Sequence, residues 1–321
     1  MSTMPTLEMI REAADGLRRV ARQTPVLPFD GPGNRLFIKA ENLQTTGSFK
    51  IRGAYNKLRS LTEEEASRGV IACSAGNHAL GVAFSAKQSG LHAVICMPDC
   101  APAVKVEGTR SLGAEVVLVP GNYDDAAREA ERLSAKKGYT FAHPFNDPFV
   151  IAGQGTIGLE ILQQVPDVRQ VVVPVGGGGL ISGIAIAVKS LKPEVRVIGV
   201  QTLNVPSMYA SFGFGELQTL RDKATIADGI HVLTPGDLTF RIVEKYVDDI
   251  VTVRETEIEA AIVALLEGPK LVAEGAGAAA VAAYMADRMD TGLKTAAVLS
   301  GGNIDISALE KIMERELRRR G

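Results

Sequence analysis

The segment QVVVPVGGGGLISGIAIAVKSLKPEVRVIGVQ, residues 170–201, constrains this chain more than any other. Val171–Val175 is an apolar, β-branched run, four glycines follow, and then comes an apolar stretch of helical length. A second apolar strand, Val195–Val200, closes the unit. Strand, turn, helix and strand in that order predict a crossover between parallel strands. The plan recurs in GVIACSAGNHALGVAFSAKQSGLHAVICMPD, with a strand at Val70–Cys73, a helix near Ala79–Ser89 and a strand near Ala93–Met97. GAEVVLVPG supplies another strand, and Ala126, Ala127, Ala130 and Leu133 space Tyr123–Lys137 as a helix. Such alternation predicts an α/β protein with open, mostly parallel sheets covered by helices on both faces.

Ligands of open α/β sheets bind beyond the carboxyl ends of the strands. Three loops at such ends are chemically unusual: SAGNH (74–78), GGGGL (176–180) and SGGN (300–303). Gly176, Gly177, Gly178 and Gly179 let backbone N–H groups converge on an anion at a helix N-terminus, and a phosphate is the natural guest. The pattern is neither a dinucleotide fingerprint nor a P-loop. SAGNH offers a second anion site of carboxylate size, although Ser and Asn also cap helices. SGGN reads equally as a strand-ending turn and as a site loop.

A fourth stretch, TGSFKIRGA (46–54), sets Lys50 between Phe49 and Ile51. A lysine there either lays its stem on the core with its head in water or serves chemistry. A phosphate cradle, a carboxylate cradle and a half-buried lysine together suggest pyridoxal phosphate, which bonds to lysine and handles amino acids.

Bulk properties narrow the classes further. The 321 residues suffice for two lobes. A formal net charge of -2 and the absence of Trp argue against a nucleic-acid partner. No run reaches the length of a membrane span and no secretory pattern opens the chain, so a cytoplasmic location is expected. Four dispersed histidines and three separated cysteines form no metal motif.

The order of KAENLQTTGSFKIRGAYNKL (39–58), SAGNHALGVA (74–83), VIAGQGTIGLEIL (150–162), VPVGGGGLISGIA (173–185), YVDDI (246–250) and LSGGNID (299–305) resembles the serine/threonine dehydratases, which are threonine ammonia-lyases. These are fold-type II pyridoxal phosphate enzymes, tryptophan synthase β-like in architecture, with serine racemase a close relative. The resemblance covers nearly the whole chain. It implies a large cofactor-binding domain from residues 1–51 and 144–321, a small domain from 52–143, and a cleft between them. Lys50 would carry the cofactor as an internal aldimine and then remove the substrate Cα proton. Phe49 would pack on the pyridine ring, and Asn77 would bond the ring hydroxyl. Gly176–Gly179 and Leu180 would hold the phosphate, and Ser300 would face the ring nitrogen. Ser74, Ala75, Gly76, Asn77 and His78 would surround the substrate carboxylate.

The implied reaction is loss of water from L-threonine or L-serine, giving 2-oxobutyrate or pyruvate and ammonia. A neutral serine cannot keep the ring nitrogen protonated as an aspartate would, which favours quick expulsion of the β-hydroxyl. Departures separate relatives. Ala75 stands where serine racemase has the serine that acts on the opposite face of Cα. Gln201 and Ser207 stand where it has acidic cation ligands. Phe145, in HPFNDPF, stands where it has a polar substrate contact, and an apolar group there suits threonine's methyl. The alternatives are a dehydratase of another β-hydroxy amino acid such as threo-3-hydroxyaspartate, a serine racemase, or a non-catalytic sensor of a phosphorylated metabolite. A small amino-acid substrate is expected, with no membrane or nucleic-acid partner. A homodimer or homotetramer is the expected assembly.

Overall fold

A computed structural model describes residues 3–29 and 35–321. Ten strands occur among them: β1 (Val26–Pro28), β2 (Leu36–Ala40), β3 (Val70–Cys73), β4 (Ala93–Pro98), β5 (Glu115–Val119), β6 (Thr140–Phe141), β7 (Gln170–Pro174), β8 (Arg196–Thr202), β9 (Asp249–Val253) and β10 (Thr295–Leu299). They form two sheets. The larger has the order β1-β2-β10-β7-β8-β9 and the smaller the order β5-β4-β3-β6. All neighbours are parallel except the β1–β2 pair, whose register sets Leu27 against Ile38.

The strand positions follow from side-chain chemistry. β3, β4, β7 and β10 are apolar at almost every position and buried along their whole length, as strands covered on both faces must be. Helix ends are equally local in origin. Asn122 accepts from the backbone of Asp124 and Asp125 while Asp125 reaches back to Asn122, so Tyr123–Lys137 begins with a capping box. Asp147 caps Pro148–Gln164, with proline in its first turn, where its missing N–H costs nothing. The helix Gly275–Met285, sequence GAGAAAVAAYM, is buried over Gly275–Ala283, because small side chains let it lie close under the large sheet.

The helix Lys50–Arg59 joins the two sheets. It packs on Asn77–Ser89, which covers the small sheet, and on Pro148–Gln164, which covers the large one. A buried ionic cluster fixes it there. Arg52, 1% exposed, donates to Glu41 at 2.8 Å and to Glu160 at 2.6 Å. Lys39 of β2, fully buried, bonds Glu160 at 2.5 Å and the Thr24 carbonyl at 2.7 Å. The Arg52 charge, directly bonded to Glu41, holds that carboxyl below the usual carboxylate range despite its burial. Removing one member of such a cluster leaves an uncompensated buried charge. Among the described residues, no helix is long and apolar enough to cross a membrane.

Candidate active site

The four sequence-predicted loops meet beyond the strand ends. Loop 46–50 is stitched to loop 300–303: Ser48 bridges Gly301, the Phe49 N–H donates to Ser300 O at 3.1 Å, and the Gly302 N–H donates to Gly47 O at 2.9 Å. Loop 74–78 joins them when Asn303 Nδ2 donates to Asn77 Oδ1 at 2.7 Å. The turn 143–147 joins from the end of β6. Its Pro144 carbonyl accepts from Lys50 Nζ at 3.1 Å, and the Phe145 ring lies on the glycine loop, so tightly that a side chain at Gly177 would strike it.

Lys50 is half-buried at the first position of its helix, with its ammonium 5.3 Å from the centre of the Phe49 ring. Burial lowers its pKa to about 8, and the charge of Glu274 opposes that shift. An amine so placed loses its proton far more readily than a surface lysine.

The glycine loop carries the clearest signal. Among the described residues, none of the N–H groups of residues 176–181 donates a hydrogen bond. The first bond of the helix is Ser182 N–H to Gly178 O at 3.0 Å. Residues 177–180 are buried, and buried donors at a helix start require an acceptor. An anion on the helix axis would be a suitable acceptor for such donors. Gly178, at φ +94°, is the residue that turns the chain into that helix. Close packing explains why Gly177 lacks a Cβ, but it does not explain the unmet donors.

The other predicted residues fall as follows. Ser300 is buried at the end of β10, and its Oγ bonds no described residue. Leu180 is buried among the helix and strand residues behind the glycine loop. In loop 74–78 the Gly76 N–H goes to Ser74 Oγ at 3.2 Å, while those of Ala75, Asn77 and His78 donate to no described residue. The His78 ring is turned inward, its Nε2 2.8 Å from the Ala142 carbonyl. Burial, reinforced by the Lys50 charge, pushes its pKa down to about 3, so the ring is neutral.

Sequence reasoning missed three participants. Glu274 accepts from Asn77 Nδ2 at 2.6 Å. His143 Nδ1 accepts from the N–H groups of Phe145 at 3.2 Å and Asn146 at 2.8 Å, which shapes the turn that holds Lys50. Asn303 orients Asn77. Nothing local marks them, except that Asn303 belongs to the SGGN loop.

These groups fit pyridoxal phosphate: an amine of lowered pKa, unmet N–H donors for a phosphate, an unpartnered serine hydroxyl and an oriented amide. The family model described as pyridoxal-phosphate dependent enzyme matches residues 17–301. The chain belongs to that family. Pyridoxal 5'-phosphate is its cofactor, and its fold is the fold-type II architecture. An L-threonine ammonia-lyase of Thermotoga maritima is 54% identical to this pyridoxal-phosphate dependent enzyme, over 99% of this chain and 80% of its relative. The processed form of threonine deaminase isoform 2 from Solanum lycopersicum matches it with a TM-score of 0.92 at 37% identity, over 98% of this chain and 91% of that one. Maize serine racemase matches with a TM-score of 0.92 at 34% identity, over 99% of both chains.

Proposed function

We propose that this enzyme is an L-threonine ammonia-lyase that also accepts L-serine, converting them to 2-oxobutyrate or pyruvate and ammonia. The observation that carries this reading is the convergence of Lys50 Nζ, held on the Pro144 carbonyl, with the unmet N–H groups of residues 176–181. The resemblance to threonine ammonia-lyases over almost the full chain supports the substrate.

Pyridoxal phosphate, when bound, supplies an electron-withdrawing ring that acidifies the Cα–H of an attached amino acid. The chain's own residues do the rest. Residues 176–180 bind the phosphate through backbone N–H groups and the positive end of the following helix. Ser300 Oγ offers the ring nitrogen a neutral partner, and Asn77 Nδ2 still has one N–H for the ring hydroxyl. Phe49, whose ring centre is 5.3 Å from Lys50 Nζ, would supply the cofactor ring with an aromatic neighbour. The N–H groups of Ala75, Asn77 and His78 bind the substrate carboxylate, with Ser74 and Gly76 shaping the loop. That grip fixes Cα, and Lys50 Nζ takes its proton. An amine with a pKa near 8 is matched to this task, since it both accepts and returns the proton near neutrality. Phe145 gives the substrate side chain an apolar neighbour. Ala75 carries no acid for the opposite face of Cα, so racemisation is not expected.

A homodimer or homotetramer in the cytoplasm completes the proposal. The test is 2-oxo acid release from L-threonine, L-serine, their D-forms and threo-3-hydroxyaspartate. Release led by L-threonine supports the proposal. Release led by hydroxyaspartate keeps the chemistry and removes the threonine assignment.

A further inference from the structure

Glu274 takes no part in the chemistry above, yet it is buried against it. It is the N-cap of Gly275–Met285, is 6% exposed, and forms no ion pair shorter than 4 Å among the described residues. Its carboxyl accepts from Asn77 Nδ2 at 2.6 Å. Asn77 Oδ1 accepts from Asn303 Nδ2 at 2.7 Å, and the same nitrogen donates to the Thr46 carbonyl at 2.8 Å. This chain has only one polarity. The Thr46 carbonyl forces Asn303 to present nitrogen, Asn303 forces Asn77 to present oxygen, and Asn77 then turns its nitrogen to Glu274. The Glu274 main chain is tied to the same loop, because its N–H donates to Gly301 O at 3.2 Å.

Glu274 and Asn303 also line a cavity of about 210 Å³, shared with Lys105, Asp228, Asp305, Lys311 and Arg315. The carboxyl therefore has the Asn77 amide on one side and a polar cavity on the other. Several charges face it: Lys50 from Lys50–Arg59, Lys105 from Ala103–Ser111, and Asp228 from the turn Asp228–Ile230. Asp305, Lys311 and Arg315 face the cavity from the C-terminal segment. Burial, then the Asp228 charge, raises its pKa to about 8, against the Asn77 hydrogen bond and the Lys105 and Lys50 charges. A buried carboxyl without a cationic partner costs stability, which is tolerated where a site uses it.

We propose that Glu274 is a positioning residue that aims Asn77 at the ring hydroxyl of the bound cofactor and changes the field on that hydroxyl by gaining and losing one proton through the adjoining cavity. The assignment rests on Asn77 as the cofactor's partner. In the neutral form the carboxyl holds Asn77 without placing charge in the site. In the anionic form it accepts more strongly from Asn77 and favours the protonated state of Lys50. Only a proton moves, between the Glu274 carboxyl and solvent.

The experiment compares wild-type, Glu274→Gln and Glu274→Leu holoenzymes. Cofactor absorbance is read against pH, and infrared difference spectra in D2O read the carboxylic-acid carbonyl band. Glutamine keeps the acceptor for Asn77 and removes the proton. The expected result is a wild-type spectral transition with a midpoint near pH 8, accompanied by loss of a carbonyl band. Both should be missing in Glu274→Gln, which keeps its cofactor. Glu274→Leu should weaken cofactor binding by about tenfold or more, the size expected for losing a hydrogen bond to a chargeable group. A Glu274→Gln protein with the wild-type midpoint overturns the proposal, because another group then titrates. A wild-type carbonyl band that persists in Glu274→Gln overturns it too. A wild-type protein without cofactor absorbance would instead remove the cofactor assignment itself, so the two failures are distinct.

Discussion

Lys50 Nζ donates to the Pro144 carbonyl at 3.1 Å, so a turn at the end of the small sheet holds the amine that starts the helix between the sheets. The turn is itself shaped by His143, whose Nδ1 accepts two backbone N–H groups and must be unprotonated to do so. Burial lowers the His143 pKa to about 4, which keeps that lone pair free at neutral pH.

Reconstitution of the apoenzyme should quicken with pH. Only the neutral amine attacks the cofactor's aldehyde, and the Lys50 pKa is lowered to about 8. Below that value the rate should fall about tenfold per pH unit and above it level off, as a surface lysine would do only some two units higher. Stopped-flow absorbance after adding pyridoxal phosphate measures this. Lys50→Ala should develop no protein aldimine band at any pH, leaving only the spectrum of the added cofactor.

Gly178→Ala should weaken cofactor retention by at least about tenfold, a loss comparable to one or more charge-assisted hydrogen bonds. Gly178 sits at φ +94°, and a methyl there would strike Thr239 and Met208. The loop must shift, and its N–H groups then lose their common focus. Equilibrium dialysis of the cofactor checks it, with circular dichroism to confirm the fold.

Arg52→Met should cost about 3–5 kcal/mol of stability, the penalty for leaving buried partners unpaired. Glu41 is fully buried and Glu160 already shares Lys39, so neither carboxylate finds a new cation. Denaturant titration reads the loss. An unchanged midpoint would mean that the cluster contributes nothing to holding Lys50–Arg59 in place.

Glu274→Gln should gain stability over wild type as pH rises. The folded pKa of Glu274, about 8, lies above the ordinary carboxylate value of 4.5. Between those values the unfolded chain is ionised while the folded one is not, so wild-type stability falls as pH rises. The difference in Tm between the two proteins should widen from about pH 5 to about pH 8 and then hold constant. A constant difference throughout would place the Glu274 pKa at its ordinary value.

Much of this architecture is legible along the chain. Val70–Cys73 and Tyr123–Lys137 occupy the spans their patterns predict, because apolar runs and helical spacing are local properties. The predicted strand Val171–Val175 lies one residue earlier, at Gln170–Pro174, since Gln170 can pair with Arg196 and bond Thr295 at the strand's start. The glycine loop and its unmet N–H groups are the part of the candidate site most legible in the sequence, because four consecutive glycines stand out in any chain. Lys39, Glu41, Arg52 and Glu160 announce nothing. On their own segments they read as ordinary surface charges, and only mutual pairing allows their burial.

The sequence by itself therefore determined the sheets, the crossovers and the loops that carry chemistry, since each depends on residues near one another in the chain. Tertiary structure decided which groups face those loops. Glu274 stands 197 positions from Asn77, and in VAEGAGAAA it looks like an acid at a helix N-terminus. Its raised pKa comes from burial and from Asp228, which exist only once the chain is folded. Distant partners and their desolvation are properties of the packed molecule, and no local pattern encodes them.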